Sequence, residues 1–456
     1  MVKYLNIFKN KLFSLTIIFF IIIPIFSCAQ NSSKVHPEWS KNAAIYEANI
    51  RQHTPEGTFK AFEAHLPQLK DMGIGIVWLM PIQPIGKENR KGSLGSYYSI
   101  SDYTAVNPEF GTIDDLKSLV NKAHKLGMHV ILDWVANHTA WDHPWVKSNP
   151  EFYTKDSDGN FVPPVADWSD VIDLNYDNHE LRMEMTKSME FWITNCDIDG
   201  FRCDVAAMVP TDFWNSVTNT LTKIKPVFML AEASEPELQE HAFDMTYGWQ
   251  FKDLMNDISK GKKSVEDLYD YYKWQKATYS PDDYQMMFTT NHDENSWNGT
   301  VKERLGDAVE TFAVLTGVVN GMPLVYSGQE AGLDKALKFF EKDTIVWKDN
   351  NLRNIYTKLF QLKKTNKALW NGTSGGEMNI IKSSDEKNIF SFTREKNGDK
   401  IVSIFNLSPN KTSFSIEDKL LTGSYTNLFS NEKIELKNVQ NFELDSWGYI
   451  VLTVQQ

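Results

Sequence analysis

The segment "GFRCDVAAM", Gly200 to Met208, sets an arginine and an aspartate two positions apart in a stretch otherwise suited to a buried strand. Side chains alternate faces along a strand, so Arg202 and Asp204 point one way and Phe201 and Cys203 the other. Such a pair is either a structural ion pair or an aspartate held ionised for chemistry. Three further segments carry acids or imidazoles: "ILDWVANH" holds Asp133, Asn137 and His138, "FMLAE" ends on Glu232, and "FTTNHDEN" holds His292 and Asp293. Two carboxyls facing one another in unlike surroundings are what retaining glycoside hydrolysis requires. Asp204, beside Arg202, suits the nucleophile. Glu232, after the apolar run Val227–Ala231, suits an acid that keeps its proton near neutral pH. Asp293 offers a third carboxylate to hold sugar hydroxyls and stabilise positive charge at the ring, and His138 and His292 can bind hydroxyls.

These residues act together only if the fold brings them to one place. From Ala44 onward short apolar runs alternate with amphipathic stretches, the pattern of strand–helix units around a parallel sheet. The candidate strands are "AIYEANI", "GIVWLM", "MHVILDWV", "DGFRCD", "VFMLAE", "FDMTY", "QMMFTTN" and "PLVYSGQE". Eight such units predict a (β/α)8 barrel, an α/β fold that presents functional residues at the carboxyl ends of its strands. The four segments above all meet that rule. Asp204 and Glu232 then fall on adjacent strands.

The rhythm breaks once. After "DWVANH", residues 139–177 lack a long helical pattern, which predicts a small inserted domain after strand three. Its "DSDGN" lacks the spacing and closing Glu of a calcium loop and reads as a hairpin turn. The barrel is expected over 37–370. Residues 371–456 are β-rich with polar turns, including "NGD", and predict an antiparallel β-sandwich.

A net charge of −12 argues against nucleic acid as a partner. The start of the chain, residues 1–28, has an early Lys, an apolar run from Leu12 to Phe26, and then Ser27–Cys28. This layout predicts a secretory signal with Cys28 as a lipidated first residue. The protein would then be exported and touch a bacterial membrane, on the periplasmic side or the cell surface, only through that lipid. An uncleaved anchor is the alternative. Cys196 and Cys203 have no catalytic partners in the pattern and read as packing residues.

The four segments "DWVANH", "GFRCDVAAM", "FMLAEA" and "TTNHDEN", in this order, resemble the four family regions of the α-amylase family of glycoside hydrolases, family thirteen. "GSYYSISDYTAVNPEFGT" resembles the family's aromatic platform, and the likeness runs from about Pro37 to the end. The resemblance implies an α-glucan or maltooligosaccharide substrate and no cofactor for the chemistry. It implies Asp204 as nucleophile, Glu232 as acid/base and Asp293 as transition-state stabiliser. Arg202, His138, His292 and a stacking Tyr98 would line the first sugar subsite. It also implies Asn137 and Asp173 as candidate ligands of a structural calcium, although a full oxygen shell is not legible. Many long-chain α-amylases have Lys and His where this chain has Ala207 and Met208. Cleavage of α-1,4-linked oligosaccharides is therefore the primary reading. A transglycosylase, isomerase or neopullulanase/maltogenic-type member, or a non-catalytic glucan-binding relative, is the alternative. Trp141, Trp145 and Trp168 are open between sugar stacking and the core of the insert.

Overall fold

Each of the eight apolar runs forms a strand, and the strands close into one parallel barrel. They are β1 (Ile45–Ala48), β2 (Ile76–Leu79), β3 (His129–Trp134), β4 (Gly200–Cys203), β5 (Phe228–Ala231), β6 (Met245–Tyr247), β7 (Tyr284–Met287) and β8 (Met322–Tyr326). In this computed structural model residues 35–454 are described, so the segment expected to be a secretory signal, with Cys28, lies outside the described residues. Ile45 pairs with Ile76 on one side and with Leu324 on the other, which closes the ring.

Both faces of every strand are buried, which is why the strands read as nearly continuous apolar runs. Ile45, Trp78, Ile131, Leu230, Tyr247 and Met286 pack inside the barrel. The alternate residues, among them Tyr46, Val77, Leu132, Phe201 and Cys203, join the larger core under the helices. Cys196 and Cys203 are both buried and free. Gly200 opens β4 at φ 145°, and a Cβ there would sit 1.9 Å from Phe228 O. Only glycine lets β4 approach β5 this closely at its first residue.

The connecting helices include α1 (Leu66–Met72), α2 (Ile113–Lys125), α3 (His179–Cys196), α4 (Thr211–Leu221), α5 (Trp249–Ser259), α6 (Val265–Thr278), α7 (His292–Trp297), α8 (Val309–Val318) and α9 (Asn351–Thr365). α2 starts at the capping box expected from its sequence, with Thr112 and Asp115 bonding each other's backbone N–H. Leu116, Leu119, Val120 and Ala123 form its buried face. Between β5 and β6 only a 3-10 turn, Pro236–Gln239, replaces the helix.

The insert after β3 is held by a short antiparallel ladder, His138–Ala140 against Val171–Asp173. Its "DSDGN" segment forms a turn closed by a bridge between Lys155 and Phe161. There Asp156 accepts the backbone N–H groups of Asp158 and Asn160. After α9 the chain forms β9 (Glu377–Ile381), β10 (Ile389–Lys396), β11 (Asp399–Asn406), β12 (Thr412–Glu417), β13 (Gly423–Asn427), β14 (Lys433–Leu436), β15 (Val439–Leu444) and β16 (Tyr449–Val454). Six of these make an antiparallel sheet in the order β9-β10-β11-β16-β13-β14, and β12 pairs with β15. Val402, Ile404, Phe414 and Ile416 form the core between sheet and ladder. Asn397 and Gly398 both take positive φ in the tight turn between β10 and β11, as the "NGD" signal requires. The opposite face of the sheet, through Phe390, Phe392 and Phe405, shares the core of the barrel helices.

Candidate active site

One guanidinium organises the carboxyl end of the barrel. Arg202 points inward from β4 and is fully buried. Its Nη1 donates to Asp133 Oδ1 at 2.9 Å and to Asp204 Oδ1 at 3.0 Å. Its Nη2 lies 2.8 Å from Glu232 Oε2, and its Nε donates to Tyr247 at 3.1 Å. Asp204 and Glu232, from adjacent strands, are thus held within the span of one planar fork. Trp78 Nε1 fixes the other oxygen of Asp133 at 3.1 Å, and Tyr98 donates to the same oxygen at 3.0 Å.

A second cation stands beside the first. His292 pairs through Nδ1 with Glu47 of β1, and its Nε2 lies 2.8 Å from the Tyr98 hydroxyl and 3.3 Å from Asp293 Oδ2. Burial works against charge on this ring, but Asp293 and Glu47 outweigh it and push its pKa up to about 9. His138, buried without a carboxylate partner, is pushed down to about 4 and is neutral. Tyr98 stacks on His292 at a ring separation of 5.5 Å. Arg202, His292, Tyr98, Asp204, Glu232 and Asp293 therefore form one contiguous group.

Acids outnumber cations here. Burial raises the pKa of Glu232 against the pull of Arg202, and burial followed by the charge of Glu232 raises that of Asp204. The charge of Arg202 does not offset burial at either carboxyl. A proton on Glu232 removes the largest of the charges that repel Asp204, leaving those of Asp133 and Asp293. The side chains remain reachable, with exposures of 10 % for Asp204, 15 % for Glu232 and 33 % for Asp293. Arg202 and Asp133 beneath them have none.

The backbone after Asp204 is strained to serve the same group. Val205 adopts φ 37° and ψ 48°, a left-handed conformation that costs a β-branched residue about 1–3 kcal/mol. The strained turn aims Val205 N at Glu232 Oε2, 2.8 Å away.

Asn137 and Asp173 also come together, since His138 pairs with Asp173 and Leu174 N donates to Asn137 O. Burial raises the pKa of Asp173. Asn137 and Asp173 would supply two of the six to eight oxygens that calcium takes, a shell that also draws on backbone carbonyls and water. Among the described residues, no three His, Cys, Asp or Glu side chains converge there. No step below uses a calcium ion.

Several residues of the site escape a reading of the sequence. Glu47 and Tyr247 look like ordinary members of their strands, and only the polar side chain inside "AIYEANI" hints at the first. Trp297 lies on α7 four residues after Asp293 and is 57 % exposed. It packs on Phe339, whose ring lies parallel to Tyr98 at 6.2 Å. Of the tryptophans in the insert, Trp145 packs on Tyr103 and Phe152 within its core. Trp168 stands 5.6 Å from the ring of His138. Ala206–Met208 forms a 3-10 turn at the rim, with Met208 exposed.

The sequence matches the family model described as alpha amylase, catalytic domain, over residues 30–164 and 165–374. The chain belongs to the α-amylase family of glycoside hydrolases. Residues 380–441 match the bacterial alpha amylase C-terminal domain, so the second domain of this amylase-family chain is of a known kind as well. It is similar to Alpha-amylase 3 of Dictyoglomus thermophilum, with 25 % identity covering 84 % of this chain and 88 % of that one. The structure of the noncanonic maltogenic alpha-amylase AmyB from Thermotoga neapolitana superposes with a TM-score of 0.84 at 32 % identity, covering 92 % of this chain and all of that one. An alpha-amylase from Lactobacillus plantarum gives 0.82 at 31 % identity, covering 91 % and 100 %.

Proposed function

We propose that this α-amylase-family chain is a retaining hydrolase of α-1,4-glucosidic bonds in starch-derived oligosaccharides. The observation that carries the reading is the Arg202 fork with Asp204 and Glu232 on its two prongs. Retaining enzymes need two carboxyls about 5–5.5 Å apart, and an arrangement shared across one guanidinium suits that spacing.

In the first step Asp204 Oδ attacks the anomeric carbon. The bond from that carbon to the leaving oxygen breaks, and the oxygen takes the proton from Glu232. In the second, Glu232 removes a proton from water, the water oxygen attacks the anomeric carbon, and Asp204 leaves as carboxylate. Asp293 and the charged His292 hold ring hydroxyls, Tyr98 stacks on the sugar, and neutral His138 supplies a further hydrogen bond. Digestion of maltoheptaose followed by proton NMR should show the α-anomer as the first product. An initial β-anomer overturns the reading.

The similarity to a maltogenic alpha-amylase supports a second reading, a preference for short products or transfer to sugars. The ratio of reducing ends to glucosyl transfer products on maltoheptaose separates the two. We also propose that the chain is exported and tethered through lipid on Cys28. The family match beginning at residue 30, just after this cysteine, supports it. Membrane fractionation of wild type and Cys28→Ala tests it, with the variant expected in the soluble fraction or uncleaved. Identical behaviour makes Cys28 an ordinary residue.

A further inference from the structure

The amino end of the barrel, opposite the candidate active site, carries a separate cluster. His124 ends the last turn of α2, His129 opens β3, and Asp199 precedes β4. One ligand atom from each lies within 4.8 Å of the others. His124 Nε2 is 2.7 Å from Asp199 Oδ2, and His129 Nδ1 is 3.4 Å from Asp199 Oδ1. A cavity of about 470 Å³ opens on them, bounded also by Trp39 and Lys225.

An ion-pair network explains part of this cluster. Lys225 Nζ lies 3.0 Å from Asp199 Oδ1 and 2.7 Å from Asp197 Oδ1, and Val130 N donates to Asp199 Oδ2 at 2.8 Å. His129 is its loosest member, with Nδ1 3.4 Å from Asp199 Oδ1. That ring is clamped by Trp39, stacked at 3.9 Å and 11°. Its Nδ1 is buried without a hydrogen-bond partner. A nitrogen fixed in direction, beside a carboxylate and a second imidazole, is placed as a metal ligand is.

We propose that His124, His129 and Asp199 form a binding site for a divalent transition metal of the zinc class. Two imidazoles and one carboxylate suit zinc, cobalt or nickel and not calcium or magnesium. The open cavity supplies water as the fourth ligand. Closing on an ion at about 2.0–2.2 Å needs small side-chain shifts. The Val130 N–H and the Trp39 ring orient Asp199 and His129, as outer partners do at metal sites. Lys225 is the competing cation, and when a metal enters it retains Asp197.

Calorimetry with zinc chloride on the full chain, first dialysed against EDTA, tests this. One equivalent should bind, with cobalt giving a tetrahedral visible spectrum. His129→Gln and His124→Gln should each weaken binding by at least about tenfold, the loss brought even by an outer-shell partner. Lys225→Met should tighten it. Turnover of maltoheptaose should be the same in these three variants as in wild type. Absence of a saturable equivalent overturns the proposal, as does equal affinity in wild type and His124→Gln. If His129→Gln does not fold, His124→Gln and Lys225→Met still decide, and Lys225→Met failing to tighten binding counts against the site.

Discussion

The residues on either side of strand β4, Asp199 and Asp204, carry charge to both ends of the barrel, and the two ends treat it in opposite ways. At the amino end Asp199 lies among Lys225, His124 and His129, and the two histidines outweigh burial to hold its carboxyl well below the usual range. At the carboxyl end, only a few residues on, Asp204 lies among other carboxyls, and burial with the charge of Glu232 raises it. Basic groups face the acid at the first place, and further acids face it at the second. Balanced charge ties strands together. Crowded acids favour a proton kept on one of them, and glycoside hydrolysis delivers that proton to the leaving oxygen.

The largest test removes the acid at the unbalanced end. Asp204→Asn should lower kcat on maltoheptaose by about a thousandfold or more, a barrier increase of roughly 4 kcal/mol. The fold should persist, because the amide keeps the shape of the carboxylate. Near-normal turnover would remove Asp204 from the chemistry and leave Arg202 with a merely structural pair.

A smaller effect is expected at the rim beside it. Neither Ala207 nor Met208 can donate side-chain hydrogen bonds to a glucose on the leaving side. A charged hydrogen bond is worth about 1.5–3 kcal/mol, or roughly ten- to a hundredfold in kcat/KM. Soluble maltooligosaccharides should therefore be better substrates per chain than starch, and Ala207→Lys with Met208→His should narrow the gap. A native preference for amylose would show that another contact, such as Trp168, holds the leaving side.

At the balanced end, Asp199→Asn should leave kcat nearly unchanged while costing about 1–3 kcal/mol of stability in urea unfolding. The pH dependence follows from the lowered carboxyl. The unfolded chain binds the proton more tightly, so this contribution is present above about pH 4 and is lost as pH falls further. The wild type should lose stability over that acid range more steeply than the variant. Equal slopes would mean that the network around Asp199 is not a source of stability.

What the sequence reveals follows the same division. The barrel is legible because both strand faces are buried, which makes eight apolar runs, and because acids interrupt their ends at "GFRCD" and "FMLAE". Local order reads well too, as at the Thr112 capping box and the Asn397–Gly398 turn. Features made by distant residues do not read. Val205 has no local reason for a positive φ, since Glu232 from the next strand draws its N–H. His124 and Asp199 are far apart along the chain and meet only once β3 and β4 are adjacent. The raised pKa values of Asp204 and Glu232 are likewise a property of the assembled cluster. Arg202 beside Asp204 suggests a carboxylate simply held ionised, whereas burial, joined by the other acids around the fork, raises both groups.

The smallest effect concerns the aromatic surface beyond Tyr98. Trp297, Phe339 and Tyr98 form a line of rings leading away from His292, and a cavity of about 360 Å³ opens beside Trp297 and Phe339. Trp297 keeps more than half its surface in solvent although it sits one helical turn from Asp293. A flat indole so exposed beside a sugar site can stack on a glucose further along the bound chain. Stacking of this kind is worth about 0.5–1.5 kcal/mol. Trp297→Ala should then lower kcat/KM for maltoheptaose by roughly two- to tenfold and leave a short aryl maltoside almost unaffected. Stability should change little, because the side chain is mostly in water. Equal losses on both substrates would mean that Trp297 acts by supporting Phe339 and Tyr98, which places it in the scaffold of the first subsite and not on the path of the longer chain.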